Sequence, residues 1–231
     1  MTLRYLTFVL LILVITSALG YGTYSTARLL RTWKPDRNLL LFPAENGVKC
    51  GLILVCIALG FLSGLPLEEF GWRFPNMARQ SLIGVAWGIG LAAFFYFATQ
   101  WLSVQQNERL YSTVIIDAVI PHSIGEAILV ALAMVLVVIV EELLFRSLLI
   151  GGLLPLLSAP TLLVSTSVLF GLLHSPQGWW GIFGATVVGM LFGALFLYYK
   201  SLGVPLVAHY VANMTQIFLA TWLSKRGDSE W

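Results

Sequence analysis

Charged residues are scarce in this sequence. Lys, Arg, Asp and Glu together make up 10% of its 231 residues, whereas hydrophobic residues make up 58%. An ordinary soluble domain carries about 25% charged residues. A chain of this size with so few polar side chains cannot cover its own surface with them. The composition therefore excludes an ordinary soluble fold and predicts a protein embedded in a membrane.

Cysteines and basic clusters are also scarce, and each shortage excludes a class of site. The sequence has two cysteines, Cys50 and Cys56, and no Cys-x-x-Cys or Cys/His spacing that is typical of a zinc site. Six residues apart on one helix, the two thiols face different directions, and we interpret them as small apolar filler. No run of Lys and Arg is dense enough to indicate a nucleic-acid partner.

Long apolar stretches fill most of the chain. A helix that spans a bilayer needs about 20 apolar residues, and period-two alternation is absent, which argues against strands. We therefore predict an all-α fold, a polytopic membrane bundle of about seven transmembrane helices. The predicted helices cover residues 5–22, 48–66, 82–102, 125–150, 160–175, 181–199 and 204–223.

The first apolar stretch has some features of a signal peptide, with Arg4 before it and small residues at Ala18 and Gly20. It is long, however, and the basic loop that follows resists export, so we expect an uncleaved helix. The positive-inside rule then predicts an outside N-terminus, with the turn at Pro155–Pro160 also outside. The basic residues on the predicted cytoplasmic side are Arg28, Arg31, Lys34, Arg37, Lys49, Arg109, Lys225 and Arg226.

Small residues recur every four positions on two predicted helices. Such faces let helix backbones approach closely in a bilayer. We predict packing inside the bundle, and a homodimer through the longer stripe is the alternative. The longer stripe consists of Gly181, Ala185, Gly189 and Gly193, and the shorter one of Gly84 and Gly88.

Three groups of polar residues interrupt the apolar stretches. A charged side chain in a spanning helix costs about 2.5–3.5 kcal/mol on insertion scales, so such residues are candidates for function. Glu141 is rotated by about 100° from the next glutamate on a helix and needs its own partner. The other residues form pairs four positions apart, so that each pair shares a helix face. The pairs are Glu142 with Arg146, Phe170 with His174, and His209 with Asn213.

Chain length predicts the depth of these groups. Glu141 and His174 each lie 14 residues from a proline, so a hairpin turn at Pro155–Pro160 places both about 21 Å from that turn. His209 lies only about 8 Å beyond the next turn. One interpretation is that these groups merely join helices through buried hydrogen bonds. Their presence on three helices favours a functional site.

The pattern Glu-Glu-x-x-x-Arg occurs twice, at 141–146 and at 68–73. Helix breakers surround the copy at 68–73, namely Gly64, Pro66 and Pro75. This copy is therefore predicted to lie at the membrane interface, where carboxylates are solvated. It also has no polar residues on later helices that would correspond to His174, His209 and Asn213. Only the copy at 141–146 is predicted to be functional.

Taken together and in this order, the three motifs resemble those of the CAAX-processing and bacteriocin-processing (CPBP, or Abi) intramembrane proteases. They are Glu-Glu-x-x-x-Arg at 141–146, Phe-x-x-x-His at 170–174 and His-x-x-x-Asn at 209–213. The resemblance covers about Leu65 to Leu223. It implies a protease core at residues 65–231, preceded by membrane helices at 1–64 that lie outside that core.

The resemblance implies an endopeptidase that cleaves membrane-associated or prenylated, CAAX-like peptides in the bilayer and needs no metal. Water at neutral pH requires a base before it attacks an amide, and a tetrahedral oxyanion requires hydrogen-bond donors. By the resemblance, the roles are water activation for Glu141 and His174, the oxyanion hole for His209 and Asn213, and support of the helix geometry for Glu142 and Arg146.

Three alternatives remain open at this point. A zinc ion bound by Glu141, His174 and His209 would give a metal-dependent version of the enzyme, although the HExxH pattern is absent. A non-catalytic scaffold or immunity factor would bind a membrane peptide in the same polar cavity. Buried Glu and His also form proton relays in transporters.

Overall fold

The computed structural model describes residues 2–30, 32, 35, 37–106 and 118–226, and for residues 103–106 and 225–226 it describes the backbone alone. Three basic residues that were used to predict the orientation, Arg31, Lys34 and Arg109, lie outside the described residues. The side chains of Lys225 and Arg226 also lie outside them.

Seven long helices follow one another in the described part of the chain, which contains no β-strand. The prediction of a polytopic all-α membrane bundle is confirmed. The helices are α1 (Leu3–Leu29), α2 (Pro43–Ser63), α3 (Met77–Gln106), α4 (Ile124–Glu142), α5 (Ala159–Leu172), α6 (Gly178–Tyr199) and α7 (Gly203–Arg226).

Five of these stretches, among the residues described, are long and apolar enough to cross a membrane. They lie in α1, α2, α3, α6, and α4 together with the residues that follow it up to Leu153. The prediction of an integral multi-pass membrane protein is confirmed. α5 is shorter than predicted, because it ends at Leu172 rather than at residue 175. Its 14 residues extend about 21 Å, less than the hydrocarbon core of about 30 Å.

The segment after α4 is not the continuous α-helix that was predicted for 125–150. The α-helix ends at Glu142, Leu143–Ile150 form a π-helix, and Gly151–Leu153 form a 3-10 turn. All eight residues of the π-helix are buried. π-Helical turns are rare and occur frequently at functional sites. Because no residue of this segment faces outward, its hydrophobic pattern has no period that distinguishes a π-helix from an α-helix.

One end of the bundle, called the lower end here, is closed by contacts of the first residues of α1. The hydroxyl of Tyr5 donates to the carbonyl of Gly152, at 2.8 Å, just beyond the π-helix. The guanidinium of Arg4 donates to the carbonyl of Leu62 near the end of α2, at 2.9 Å. The beginning of α1 therefore lies beside the ends of α2 and of the π-helix.

The opposite end, called the upper end, contains the loop between α1 and α2. The amide of Asn38 in that loop donates to the carbonyl of Val119, just before α4, at 2.9 Å. The indole of Trp180 at the start of α6 donates to the hydroxyl of Thr99 on α3, at 3.1 Å. At the upper end, the loop between α1 and α2 therefore lies beside the residues before α4, and the later part of α3 lies beside the start of α6.

The first two helices share a hydrophobic core with the π-helix. Phe8 and Ile12 of α1 are fully buried, and Cys56 of α2 is 1% exposed, in the same cluster as Leu144 and Leu148. The predicted division at residue 64 between N-terminal helices and protease core stays a prediction, but α1 and α2 pack directly against the segment that carries Arg146.

The longer stripe of small residues packs inside the chain. A β-carbon added to Gly189 would lie 3.2 Å from the Cα of Ser167 on α5, and Gly193 lies against Leu163 of the same helix. The homodimer through Gly181, Ala185, Gly189 and Gly193 stays a prediction. It would require α5 to move away from this face.

The shorter stripe lets α3 approach α7 closely, and it provides a stability test. A β-carbon on Gly88 would lie 2.7 Å from the carbonyl oxygen of Ala208, next to His209. We expect Gly88→Ala to destabilise the protein by about 1–3 kcal/mol through overpacking. The control is Gly90→Ala on the same helix, where nothing lies within 4 Å of an added β-carbon. Equal thermal stability of the two variants in detergent would contradict the close contact.

Candidate active site

A fully buried ion pair lies where the α-helix passes into the π-helix. Glu142 Oε1 is 3.0 Å from Arg146 Nη1, and the side chains are 0% and 2% exposed. Residues four positions apart still meet across this junction, as the sequence spacing predicts. Removal of either partner would leave an unpaired buried charge. Replacing one partner is therefore expected to destabilise the protein more than replacing both.

Aromatic rings surround the Arg146 guanidinium. Its Cζ lies 4.8 Å from the ring centre of Phe170, 5.4 Å from that of Phe192 and 6.0 Å from that of Phe145. A desolvated cation gains about 2 kcal/mol or more from the face of an aromatic ring. The three rings therefore help to hold a charge at a place that water does not reach.

His209 connects the two adjacent glutamates. Its Nδ1 lies 2.7 Å from Glu142 Oε1, and its Nε2 lies 3.5 Å from Glu141 Oε2. The ring also packs on Phe192, with centroids 5.1 Å apart. Since Glu142 engages Nδ1, Nε2 is the ring atom that faces Glu141 and the space beside it. The pairing of His209 with Glu142 is a contact that helical spacing along the sequence does not predict.

His174 lies just beyond the end of α5, and not within a spanning helix as predicted. The helix ends at Leu172, and His174 precedes a short 3-10 turn at Ser175–Gln177. Its Nδ1 is 2.7 Å from the carbonyl oxygen of Phe170. A carbonyl only accepts, so Nδ1 carries a proton, and in the neutral ring Nε2 then has a free lone pair. His174 is thereby oriented as a proton acceptor.

One cavity of about 380 Å³ brings the predicted catalytic residues together. Its wall includes Glu141, His174, His209 and Asn213, from α4, the turn after α5, and α7. The Glu141 side chain is 25% exposed, whereas that of Glu142 is fully buried. Adjacent glutamates thus have opposite environments, as their rotation about the helix predicts.

Asn213 lies one turn beyond His209 on α7 and also faces the cavity. Its side-chain nitrogen lies 3.5 Å from the sulfur of Met134. A thioether is a weak acceptor, so this contact leaves the amide available to a stronger one. The pair His209 and Asn213 presents two polar groups to the same side of the cavity.

The comparisons with known proteins now give a family for this arrangement. Residues 123–215 match the family model described as type II CAAX prenyl endopeptidase Rce1-like. This segment contains all three motifs, from Glu141 to Asn213. The match spans about two fifths of the chain, and over that segment the chain is similar to the Rce1-like family. No curated protein and no solved structure matches the chain significantly.

The match to the Rce1-like family model confirms the resemblance to CPBP intramembrane proteases and supports a CAAX-type endopeptidase in general terms. The structure brings four of the predicted site residues to one cavity, and it buries the two predicted support residues, Glu142 and Arg146, directly behind it.

Two further residues of this site could not be identified from the sequence. Phe192 is fully buried and touches both Arg146 and His209. Met134 contacts the Asn213 amide. Each is one apolar residue among many in a spanning helix, so only the packing of the helices distinguishes them.

The zinc alternative can be compared with the donor set. No group of three or more His, Cys, Asp or Glu side chains that could hold a metal ion occurs in the described part of the chain. Nδ1 of His209 contacts Glu142 and Nδ1 of His174 contacts a carbonyl, which are contacts that zinc-ligating histidines also make through their second nitrogen. The zinc alternative with Glu141, His174 and His209 stays a prediction.

The second Glu-Glu-x-x-x-Arg pattern lies apart from the cavity. Glu68 and Glu69 are exposed, and Glu68 forms an ion pair with Arg73 across a turn. Gly71 in this turn has a φ of 68°. This copy lies in the turn between α2 and α3, and its place at the membrane interface stays a prediction.

Proposed function

We propose that the protein is a glutamate-dependent intramembrane endopeptidase that needs no metal. The observation that carries this proposal is the shared cavity of Glu141, His174, His209 and Asn213. Arg146 neutralises Glu142, which leaves Glu141 as the carboxylate available to the substrate. The arrangement supplies a carboxylate base, a histidine that shares its proton, and two hydrogen-bond donors for the oxyanion, the groups that amide hydrolysis requires.

Water activation is assigned to Glu141 and His174. A water between the Glu141 carboxylate and the free Nε2 of His174 would have its lone pair directed at the scissile carbonyl carbon. As the new C–O bond forms, one proton of the water passes to this pair of residues. The proton then goes to the leaving nitrogen when the C–N bond breaks, and the products are a carboxylic acid and an amine.

The oxyanion is assigned to Nε2–H of His209 and the side-chain amide of Asn213. This role requires the doubly protonated ring, whose Nδ1–H donates to the Glu142 carboxylate while its Nε2–H donates to the oxyanion. The contact between Glu142 and His209 Nδ1 fixes the orientation of the ring, so Nε2 points to the cavity before substrate binds. Removal of one oxyanion donor typically costs about 10²–10³ in kcat. Glu142 would therefore support catalysis by orienting His209, in addition to pairing with Arg146.

The proposed substrate is a peptide at the cytoplasmic surface of the membrane that carries a prenyl group near its C-terminus, the substrate that the family description names. The cavity wall is mostly apolar, and at the upper end it reaches Leu40, Thr99 and Ile120. That end carries the basic loop between α1 and α2, which the positive-inside rule assigns to the cytoplasm. The turn at Pro155–Pro160 lies at the lower end. The orientation predicted from the basic residues, with this turn outside, is therefore consistent with a substrate that enters the cavity from the cytoplasm.

A cleavage assay tests this function. Purified protein in proteoliposomes, stripped of metal by chelation, is expected to cleave a prenylated CAAX-like peptide at the same rate as untreated protein. The unprenylated peptide and a peptide library serve as comparisons. Loss of cleavage on chelation and its return with zinc would favour the metal alternative. Absence of cleavage of every peptide would contradict an enzymatic function.

A further inference from the structure

Ser147 follows Arg146 directly and is tied to a distant turn. Its side chain is fully buried. The hydroxyl donates to the carbonyl oxygen of Phe70, at 2.5 Å, and accepts from the indole nitrogen of Trp72, at 3.0 Å. A serine within a helix often bonds to a carbonyl of its own preceding turn. Here the hydroxyl joins the π-helix to the second Glu-Glu-x-x-x-Arg segment.

The clasp, defined here as residues 69–72, fits closely against the structure around it. Gly71 has a positive φ of 68°, and a β-carbon there would lie 2.6 Å from the ring of Phe196. The carbonyl oxygen of Glu69 packs onto Gly151, where an added β-carbon would collide with it. The clasp therefore has one conformation that is compatible with these contacts.

The clasp also binds the beginning of α7. The backbone N–H of Leu202 donates to the carbonyl of Gly71, at 3.0 Å. Leu202 precedes Gly203, the first residue of α7, and lies seven positions before His209. One turn thus contacts the π-helix on one side and the helix of His209 on the other.

These connections link the two halves of the catalytic geometry. Arg146 adjoins Ser147, Glu142 lies five residues before it, and His209 lies about two turns from Leu202. The distance of 2.7 Å between Glu142 and His209 depends on the relative position of the two elements. An eight-residue π-helix is longer than the usual single-turn π-bulge, so contacts with the rest of the fold have to hold it in register.

We propose that Trp72 and Ser147 are positioning residues for the protease site, because their hydrogen bond holds the π-helix at the distance from α7 that His209 and the two glutamates need. They touch neither the cavity nor the proposed water. The kinetic part of this inference rests on the proposed function, and the structural part does not.

Kinetics provide the first test. Ser147→Ala removes the hydroxyl, and Trp72→Phe removes the indole donor while an aromatic ring stays beside Phe61 and Phe70. A misplacement of about 1 Å can cost about 10²-fold in rate. We expect kcat to fall about 10–100-fold in each variant, with KM changed less than twofold. Because one hydrogen bond is shared, the double variant should be hardly worse than the worse single variant.

Tyr5→Phe is the matched control for a loss of stability. It removes one buried hydroxyl that bonds to Gly152 at the same end of the bundle, but from α1 rather than from the clasp. Its melting temperature should fall about as much as that of Ser147→Ala, while its kcat stays near the wild-type value. An unchanged kcat in Ser147→Ala, or an equal fall in Tyr5→Phe, would overturn the proposal.

Nuclear magnetic resonance of the imidazole provides a test that does not depend on activity. The Nδ1 proton of His209 in contact with Glu142 should resonate far downfield in the wild type. We expect this resonance to shift or broaden in Ser147→Ala and in Trp72→Phe, and to be unchanged in Tyr5→Phe. If the wild type cleaves no peptide, the proposed function fails, but the resonance still tests the positioning role of Trp72 and Ser147. An unchanged His209 resonance in both Ser147→Ala and Trp72→Phe would overturn that role.

Discussion

Glutamine in place of Glu141 is expected to lower kcat for peptide cleavage by about 10²–10⁴-fold, the usual contribution of a general acid–base group. Glutamine keeps the size of the side chain and a contact with His209 Nε2, but it does not accept a proton from water. The substitution removes no partner of Arg146, which pairs with Glu142. The melting temperature should therefore stay near the wild-type value. The measurements are kcat in proteoliposomes and thermal stability of the same preparation.

Glu68→Gln is the matched control for this prediction. Glu68 is an exposed carboxylate in the turn between α2 and α3, away from the cavity, and it pairs with Arg73. Exposed pairs of this kind contribute about 0–1 kcal/mol, so kcat and stability should both be unchanged. If Glu141→Gln keeps more than about a tenth of the wild-type kcat, a loss smaller than a general base would give, Glu141 does not activate the water.

The location of the site could be predicted from the sequence because the membrane makes polar residues expensive. Charged residues are rarest within the apolar stretches, and Glu141, Glu142 and Arg146 all lie at or directly behind the cavity. Glu142 and Arg146 were predicted to pair from their spacing, and they do so across the end of the α-helix. The rotation between adjacent helical residues also predicted that Glu141 and Glu142 have different surroundings.

Contacts between helices could not be predicted in the same way. The bond between His209 and Glu142 depends on how α7 lies against α4, and the spacing within one helix does not contain that information. The π-helix after Glu142 was missed because all of its residues are buried, which leaves no amphipathic period.

The second Glu-Glu-x-x-x-Arg pattern shows that the same residue types at the same spacing can have a different role. Its carboxylates are exposed, yet the same segment supplies Phe70 and Trp72, which hold Ser147 next to the buried pattern. The prediction that only one copy carries catalytic carboxylates still stands. The apolar residues between the charges of the other copy, rather than the charges themselves, connect it to the site.

Alanine in place of Glu142 is expected to destabilise the protein by about 3–5 kcal/mol, since it leaves the buried Arg146 without its counter-charge. That is a large share of a typical total stability of about 5–15 kcal/mol, so folded yield should fall sharply. The matched control is the adjacent Glu141→Ala, which removes the same side chain from the cavity wall. The measurement is the free energy or temperature of unfolding in detergent or lipid, together with the yield of folded protein.

A variant that replaces both partners separates the unpaired charge from the loss of volume. Glu142→Leu combined with Arg146→Met exchanges the ion pair for apolar side chains of similar size, a change that is often neutral when an ion pair is buried. We expect the double variant to be more stable than Glu142→Leu alone, although His209 loses its acceptor in both. Its cleavage activity should stay low, because Nδ1 of His209 is no longer held. Equal instability of the single and double variants would show that packing, and not the charge of Arg146, is what Glu142 satisfies.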